Sequence, residues 1–356
     1  MNPSATLSAI SPERFPVSII TGFLGSGKTT LLNYLVQQNE MGKVAVLINE
    51  FGEIGLDHLL VETISDEIML LQSGCICCQM NGDFVSTLIE LHERRVAGDV
   101  EAFTHVLVET TGVADPAPII RALLSNRKLM SHYRLGSVVA TVDTVLGESQ
   151  LLVHREVARQ ISLADKLLFC KVDLSDQAQR DSLTTIVRKL NPRASISEVT
   201  GGVIACREVF LHESRMKERD PGEIEDWLGQ QPHAAAASNS HSGAIHTFSI
   251  AMHGTLEWDN FVAWIDALLT SRSRQILRIK GLLNIRGKNG PIVIQAVQNM
   301  LYPPVELAKW PGTEQQSVIV FITCDLSQVA VEKSLSQFFP ADVLIAAGAA
   351  DNHAQY

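Results

Sequence analysis

The stretch Gly22-Phe23-Leu24-Gly25-Ser26-Gly27-Lys28-Thr29 places a lysine and a hydroxyl directly behind a glycine-rich turn. Glycine, four residues, glycine, lysine and Ser/Thr is the phosphate-loop pattern. Its chemistry is anion capture. Glycines let successive N–H groups point inward, and the helix that follows adds its positive end. In this pattern Lys28 reaches the β- and γ-phosphates and the Thr29 hydroxyl ligates Mg²⁺, so Gly22, Gly25, Ser26, Gly27, Lys28, Thr29 and Thr30 are the expected triphosphate contacts.

A second candidate is Glu109-Thr110-Thr111-Gly112. An acid at the end of a buried strand, with glycine three residues on, suits the element that senses Mg²⁺ and the γ-phosphate. Glu109 would hold Mg²⁺ through water, and the Gly112 N–H would bond the γ-phosphate. A third is Lys171-Val172-Asp173, two residues of the Asn-Lys-x-Asp element whose carboxylate reads guanine; Cys170 stands where Asn is usual. Asp173 therefore favours GTP over ATP, the alternative being an Asp that caps the helix after Ser175. Glu50 to Asp57 adds two glycines and three carboxylates beyond a strand end. There Glu50 and Asp57 could feel the γ-phosphate and Mg²⁺, or belong to an ordinary surface loop.

The fourth candidate is a different chemistry. Cys75, Cys77 and Cys78 fall within Gly74 to Cys78. Thiolates are soft ligands suited to Zn²⁺ or Cu(I), and could also hold Co²⁺ or Ni²⁺. Packed apolar thiols and a redox site are the competing readings, and metal binding is favoured over both. An incomplete protein shell suits a metal that is handed on. The other cysteines, Cys170, Cys206 and Cys324, are scattered, which is wrong for a disulfide framework and points to a reducing compartment.

The elements that must position these groups are legible from pattern. Phe15 to Thr21, Lys43 to Asn49, Glu67 to Leu71, Phe103 to Val108, Leu135 to Val142 and Lys166 to Cys170 are mostly apolar runs with the look of buried parallel strands, and Ser195 to Glu198 looks like the final strand of the same sheet. Helical spacing follows the first at Thr30 to Val36, and recurs at Ile119 to Leu124 and at Leu151 to Leu163, whose Val153, Val157 and Ile161 share a face. Strand, turn and helix alternate as in a doubly wound, mostly parallel α/β sheet of the phosphate-loop type, with ligands at the carboxyl ends of the strands.

The pattern changes later. Glu208 to Gly229 is charged and helical, and residues 230–243 are low in complexity and read as a flexible linker. His233, His241 and His246 are better explained there as polar filler than as ligands. Beyond it, strands at Ile245 to Met252, Ile276 to Ile285, Pro291 to Val297 and Ser317 to Thr323 accompany helices at Trp258 to Leu268, which Thr255 could cap, and at Val329 to Phe339. The expected organisation is a nucleotide domain over 1–229, a linker over 230–243 and a smaller α+β domain over 244–356.

Composition bounds the rest. With 356 residues and 46% hydrophobic content the chain can bury a large core. A net charge of −10 argues against a nucleic-acid partner. No apolar run approaches the roughly 20 residues that span a bilayer, and the first residues lack a basic start and an apolar core. The expectation is a cytoplasmic protein without a membrane partner.

Together, ITGFLGSGKTTLL (Ile20 to Leu32), NEFGEIGLD (Asn49 to Asp57), GCICC (Gly74 to Cys78), ETTGVADP (Glu109 to Pro116) and KVD (Lys171 to Asp173) resemble the CobW-like GTPases, relatives of nickel-inserting GTPases. LRIKG (Leu277 to Gly281) and Val297-Gln298 look like that family's C-terminal domain. The resemblance implies a metallochaperone or metal-insertion factor driven by GTP hydrolysis, with Mg²⁺ at the nucleotide, Zn²⁺ or Co²⁺ on Cys75, Cys77 and Cys78, and a client metalloprotein as partner. Two other classes compete with it: a metal-regulated switch or adaptor that transfers no metal, and a small-molecule kinase using the same loop. The chain departs from the family at Cys170 and in a histidine-poor linker.

Overall fold

The computed structural model describes residues 14–38, 43–48, 69–72, 80–210, 245–310, 315–340 and 343. Its first part is built on seven parallel strands: β1 (Phe15–Gly22), β2 (Val44–Ile48), β3 (Met69–Gln72), β4 (His105–Glu109), β5 (Tyr133–Asp143), β6 (Lys166–Cys170) and β7 (Ser195–Val199). Their order is β3-β2-β4-β1-β5-β6-β7. The central runs are apolar on both faces because both faces are covered, whereas the edge strand β7, SISEV, is buried only at Val199. Val17, Ile19, Val106 and Val108 pack with Phe84, Leu88 and Leu91 of α2 (Met80–Ala97) and with Ile119, Ile120 and Leu123 of α3 (Ala117–Ser125). Ile20, Val46, Leu107 and Leu168 face the other way, onto Leu31, Leu32 and Leu35 of α1 (Lys28–Val36). A short α4 (Arg127–His132) leads into β5.

The amphipathic run 151–163 is two helices rather than one. α5 (Gly147–Val153) stops at His154, whose backbone is extended, and α6 (Arg155–Leu163) begins there. The His154 ring lies 4.5 Å from that of Phe23 in the glycine-rich loop. Val153 is accordingly 73% exposed, whereas Val157 and Ile161 are buried. The chain then runs through β6, α7 (Gln177–Leu190), β7 and the short α8 (Cys206–Val209). The proposed helix beyond Phe210 and the linker over 230–243 lie outside the described residues.

The second part is an antiparallel sheet ordered β11-β10-β9-β13-β8, with β12 beside β10. Its strands are β8 (Ile245–Met252), β9 (Ile276–Leu283), β10 (Ile292–Val297), β11 (Met300–Leu301), β12 (Val305–Glu306) and β13 (Ser317–Cys324). One face carries α9 (Trp258–Arg272) and α10 (Gln328–Leu335), through Phe261, Trp264, Ile265, Val331 and Leu335. The cap of α9 falls at Glu257 with no side-chain bond, not at Thr255. The helix instead begins where Trp258 and Phe261 stack, with centroids 5.8 Å apart.

The opposite face meets the first sheet's core, to which Leu277, Val297 and Ile322 contribute. Pairing between β13 and β9 slips between Ile322 and Thr323, so Leu277 is passed over. Such a bulge re-aims side chains. Leu277 and Arg278 both reach the first domain, and Arg278 bonds the Leu163 carbonyl and the Asp165 carboxylate.

Candidate functional site

The carboxyl ends of β1, β4, β5 and β6 lie side by side, because parallel strands gather their ends on one edge. This edge brings Gly22, Glu109, Asp143 and Cys170 together, although 148 residues separate the first from the last in sequence. In open α/β sheets that crevice is where ligands bind.

At the phosphate end, β1 runs into the glycine-rich loop and α1 begins at Lys28. Gly27 caps α1 at φ 98°, a left-handed conformation that glycine adopts at no steric cost. Ser26 is buried: its hydroxyl donates to the Phe23 carbonyl at 2.7 Å and lies 2.6 Å from Thr141 Oγ1. The Ser26 side chain thus braces the loop from inside. Gly25 in the loop and Thr30 in the first turn of α1 are exposed. Lys28 Nζ donates to the Phe23 carbonyl at 3.0 Å, so the ammonium stands across the loop opening.

Thr29 Oγ1 donates to Glu109 Oε1 at 2.8 Å. Glu109 is 5% exposed, at the end of a strand buried from Val106 onward. A hydroxyl and a carboxylate oxygen are hard donors of the kind Mg²⁺ takes while keeping several waters, so the pair fits that ion. Gly112 sits against the loop: a Cβ there would fall 2.6 Å from the Leu24 backbone nitrogen. Only glycine allows that approach.

At the other end of the crevice, Lys171 has a left-handed backbone at φ 62° and opens a single turn of helix, Val172–Leu174. Its Nζ pairs with Asp143 Oδ2 at 2.6 Å, while Asp143 Oδ1 accepts from the Val145 and Leu146 amides. Thr144 donates to the Cys170 carbonyl from both N and Oγ1, and Ser175 Oγ donates to Thr144 Oγ1. Asp173 stands exposed on the turn. The cap of α7 is Asp176, which exchanges bonds with Gln179, so Asp173 is not the capping residue. Cys170 packs behind the glycine loop, with Sγ 3.6 Å from where a Gly27 Cβ would be. Burial, reinforced by the neighbouring Asp143 charge, pushes its thiol up to about 12, so it is neutral at physiological pH.

Lys28, Thr29, Glu109 and Gly112 are thus brought to one place, with Lys171 and Asp173 farther along the same edge. Cys75, Cys77, Cys78, Glu50 and Asp57 lie outside the described residues. Among the described residues no group of three or more His, Cys, Asp or Glu could hold a metal ion. Two polar groups beside this edge have no role assigned from the sequence, Asp143, which pairs with Lys171, and Gln160, whose amide donates to the Gly112 and Ala114 carbonyls. Asp143 carried the same signal as Glu109, an acid terminating a buried strand. Gln160 lay three positions after Val157, on the apolar stripe of α6, where a primary amide is out of place.

Fold and edge together define a phosphate-loop nucleotide-binding α/β domain joined to an antiparallel α+β domain. The profile of the CobW/HypB/UreG nucleotide-binding domain matches residues 16–198, and that of the cobalamin synthesis protein cobW C-terminal domain matches 245–339. The chain belongs to the CobW family. It is 29% identical over 320 residues to the zinc chaperone YjiA of Escherichia coli (strain K12), covering 90% of this chain and 97% of that protein. Zinc chaperone CobW of Sinorhizobium sp is 25% identical over 366 residues, covering 93% and 99%. The crystal structure of Zn(II)-bound YjiA GTPase from E. coli has the same fold, with a TM-score of 0.66 at 23% identity, covering 92% of this chain and 99% of that one. No described helix is long and apolar enough to cross a membrane.

Proposed function

We propose that the chain is a GTP-hydrolysing metallochaperone: it carries zinc on Cys75, Cys77 and Cys78 and links the handover of that ion to the state of the nucleotide. The Thr29–Glu109 pair beside Lys28 supports the hydrolytic part most strongly. Full-length similarity to proteins named zinc chaperones supports the metal.

The site residues divide the work. Inward N–H groups of the loop and the start of α1 hold the β-phosphate. Lys28 turns from the Phe23 carbonyl to the β- and γ-phosphates, where its charge offsets the charge spreading over the transferring group. Thr29 and Glu109 would hold Mg²⁺, which when bound would offset negative charge on the β- and γ-phosphates. The Gly112 N–H bonds the γ-phosphate, and the Asp173 carboxylate accepts from the guanine N1–H and 2-amino group. Lys171, held by Asp143, lays its stem along the base. Glu50 and Asp57 are the candidates for ordering the attacking water and for relaying γ-phosphate loss along the chain to the cysteines. Such order–disorder switching is a known route between a nucleotide and a distant site.

The test is Mg²⁺-dependent phosphate release from GTP and from ATP, with Lys28→Ala as control. GTP turnover above ATP turnover, lost in Lys28→Ala, is expected. Equal use of ATP, or undiminished turnover in the variant, overturns the reading.

A further inference from the structure

The turn after β4 is gripped from two sides. The phosphate loop presses on Gly112 at Leu24. From the other side comes α6. Gln160 Nε2 donates to the Gly112 carbonyl at 3.1 Å and to the Ala114 carbonyl at 3.0 Å, and Arg159 Nη1 pairs with Asp115 Oδ2 at 2.8 Å.

Gln160 is an odd residue for its position. It is 1% exposed, on the helix whose Val157 and Ile161 belong to the apolar core. A leucine would fill the space without the cost of burying an amide. Its Oε1 has no hydrogen-bond partner among the described residues. Holding those two carbonyls is therefore the polar role the side chain shows. One carbonyl is Gly112's own and the other lies two residues on, so the amide holds the chain where it leaves the glycine of the turn, the residue whose backbone is least restrained by its own side chain.

We propose that Gln160 is the positioning residue of the turn that recognises the terminal phosphate. By fixing the Gly112 and Ala114 carbonyls, its amide keeps the Gly112 N–H aimed at the γ-phosphate of a nucleoside triphosphate. It thereby sets how well the protein tells triphosphate from diphosphate. This rests on the nucleotide reading above. The helix that carries Gln160 is itself seated on the second domain, since Arg278 bonds the Leu163 carbonyl at its far end. The clamp therefore has a fixed base.

Gln160→Met keeps the volume and removes both N–H donors. The measurement is the affinity of wild type and variant for a non-hydrolysable GTP analogue and for GDP, each with Mg²⁺. Loss of two bonds of ordinary strength predicts an analogue-to-GDP ratio about tenfold lower, with GDP affinity held within about a factor of two. An unchanged ratio, or equal weakening for both nucleotides, overturns the inference, because a merely structural role cannot single out the γ-phosphate. If Gln160→Met does not fold, Gln160→Asn, polar but too short to reach both carbonyls, is held to the same ratio. Wild-type protein that binds neither nucleotide removes the nucleotide reading and this inference with it. Wild type that discriminates while the variant discriminates equally removes the clamp alone.

Discussion

Both sheets bury charged groups, but they direct them differently. In the parallel sheet Lys28, Glu109 and Asp143 collect at the carboxyl edge, where open α/β sheets bind ligands. In the antiparallel sheet Arg278 and Lys280, each 4% exposed, leave β9 sideways and close on Asp165 of the first domain. Topology explains the contrast. Parallel strands bring like ends together and so concentrate a site at one edge. Neighbouring antiparallel strands point opposite ways, so the second sheet offers a face instead. One domain holds polar groups ready for a partner yet to arrive; the other has already spent its own on its neighbour.

The sharpest way to break this comparison is Arg278→Met. Removing one partner of a buried ion pair leaves its mate uncompensated, at a cost of about 3 kcal/mol, with Lys280 remaining as a second partner. Denaturant unfolding should show that loss, and nucleotide binding by the folded fraction should survive. An unchanged midpoint with weakened nucleotide binding would mean that the second domain's charges serve the site rather than the interface.

Asp173→Asn probes the opposite domain. Its carboxylate is expected to discriminate guanine, and a charge-assisted bond lost there should reduce the GTP-over-ATP preference by about tenfold or more. Competition binding measures it, and an intact preference would refute the assignment.

A smaller effect is expected in acid. Burial alone pushes the Asp165 carboxyl up, but Arg278, Lys280 and the Val138 amide outweigh it and hold its pKa below the usual range. A depressed folded-state pKa stabilises the protein above the ordinary Asp value of about 4, and that contribution fades as pH falls through the folded-state value. Unfolding followed from pH 7 downward should lose stability less steeply in Asp165→Asn than in wild type. Parallel profiles would show that the interface charge does not contribute.

What could be read from the chain alone follows from the range of each signal. The glycine loop, Glu109 and Lys171-x-Asp173 are local, so type and spacing expose them, and the central strands β1, β2, β4, β5 and β6 are visible because burial on both faces makes each run apolar, whereas the edge strand β7 is half polar. Gln160 and Asp143 each carry a local signal, but the partners that give them their roles, Gly112 and Lys171, lie 48 and 28 positions away, and no local pattern names those partners. The break at His154 is likewise invisible in periodicity, since Val153, Val157 and Ile161 keep helical spacing across it. The bulge at Leu277 depends on the partner strand, and alternation within β9 cannot reveal it. Asp176 rather than Asp173 caps α7, because the capping box pairs Asp176 with Gln179 at the third helical position, a spacing the sequence itself carries.

Whether the nucleotide edge and the thiols form one device is decided by zinc titration of the intact protein. It is carried out with a non-hydrolysable GTP analogue, with GDP and without nucleotide, and repeated on Cys77→Ser/Cys78→Ser. The expected result is a zinc affinity that differs between the triphosphate and diphosphate forms and is lost with the thiols. An affinity indifferent to both would contradict it, leaving a nucleotide hydrolase whose cysteines are incidental.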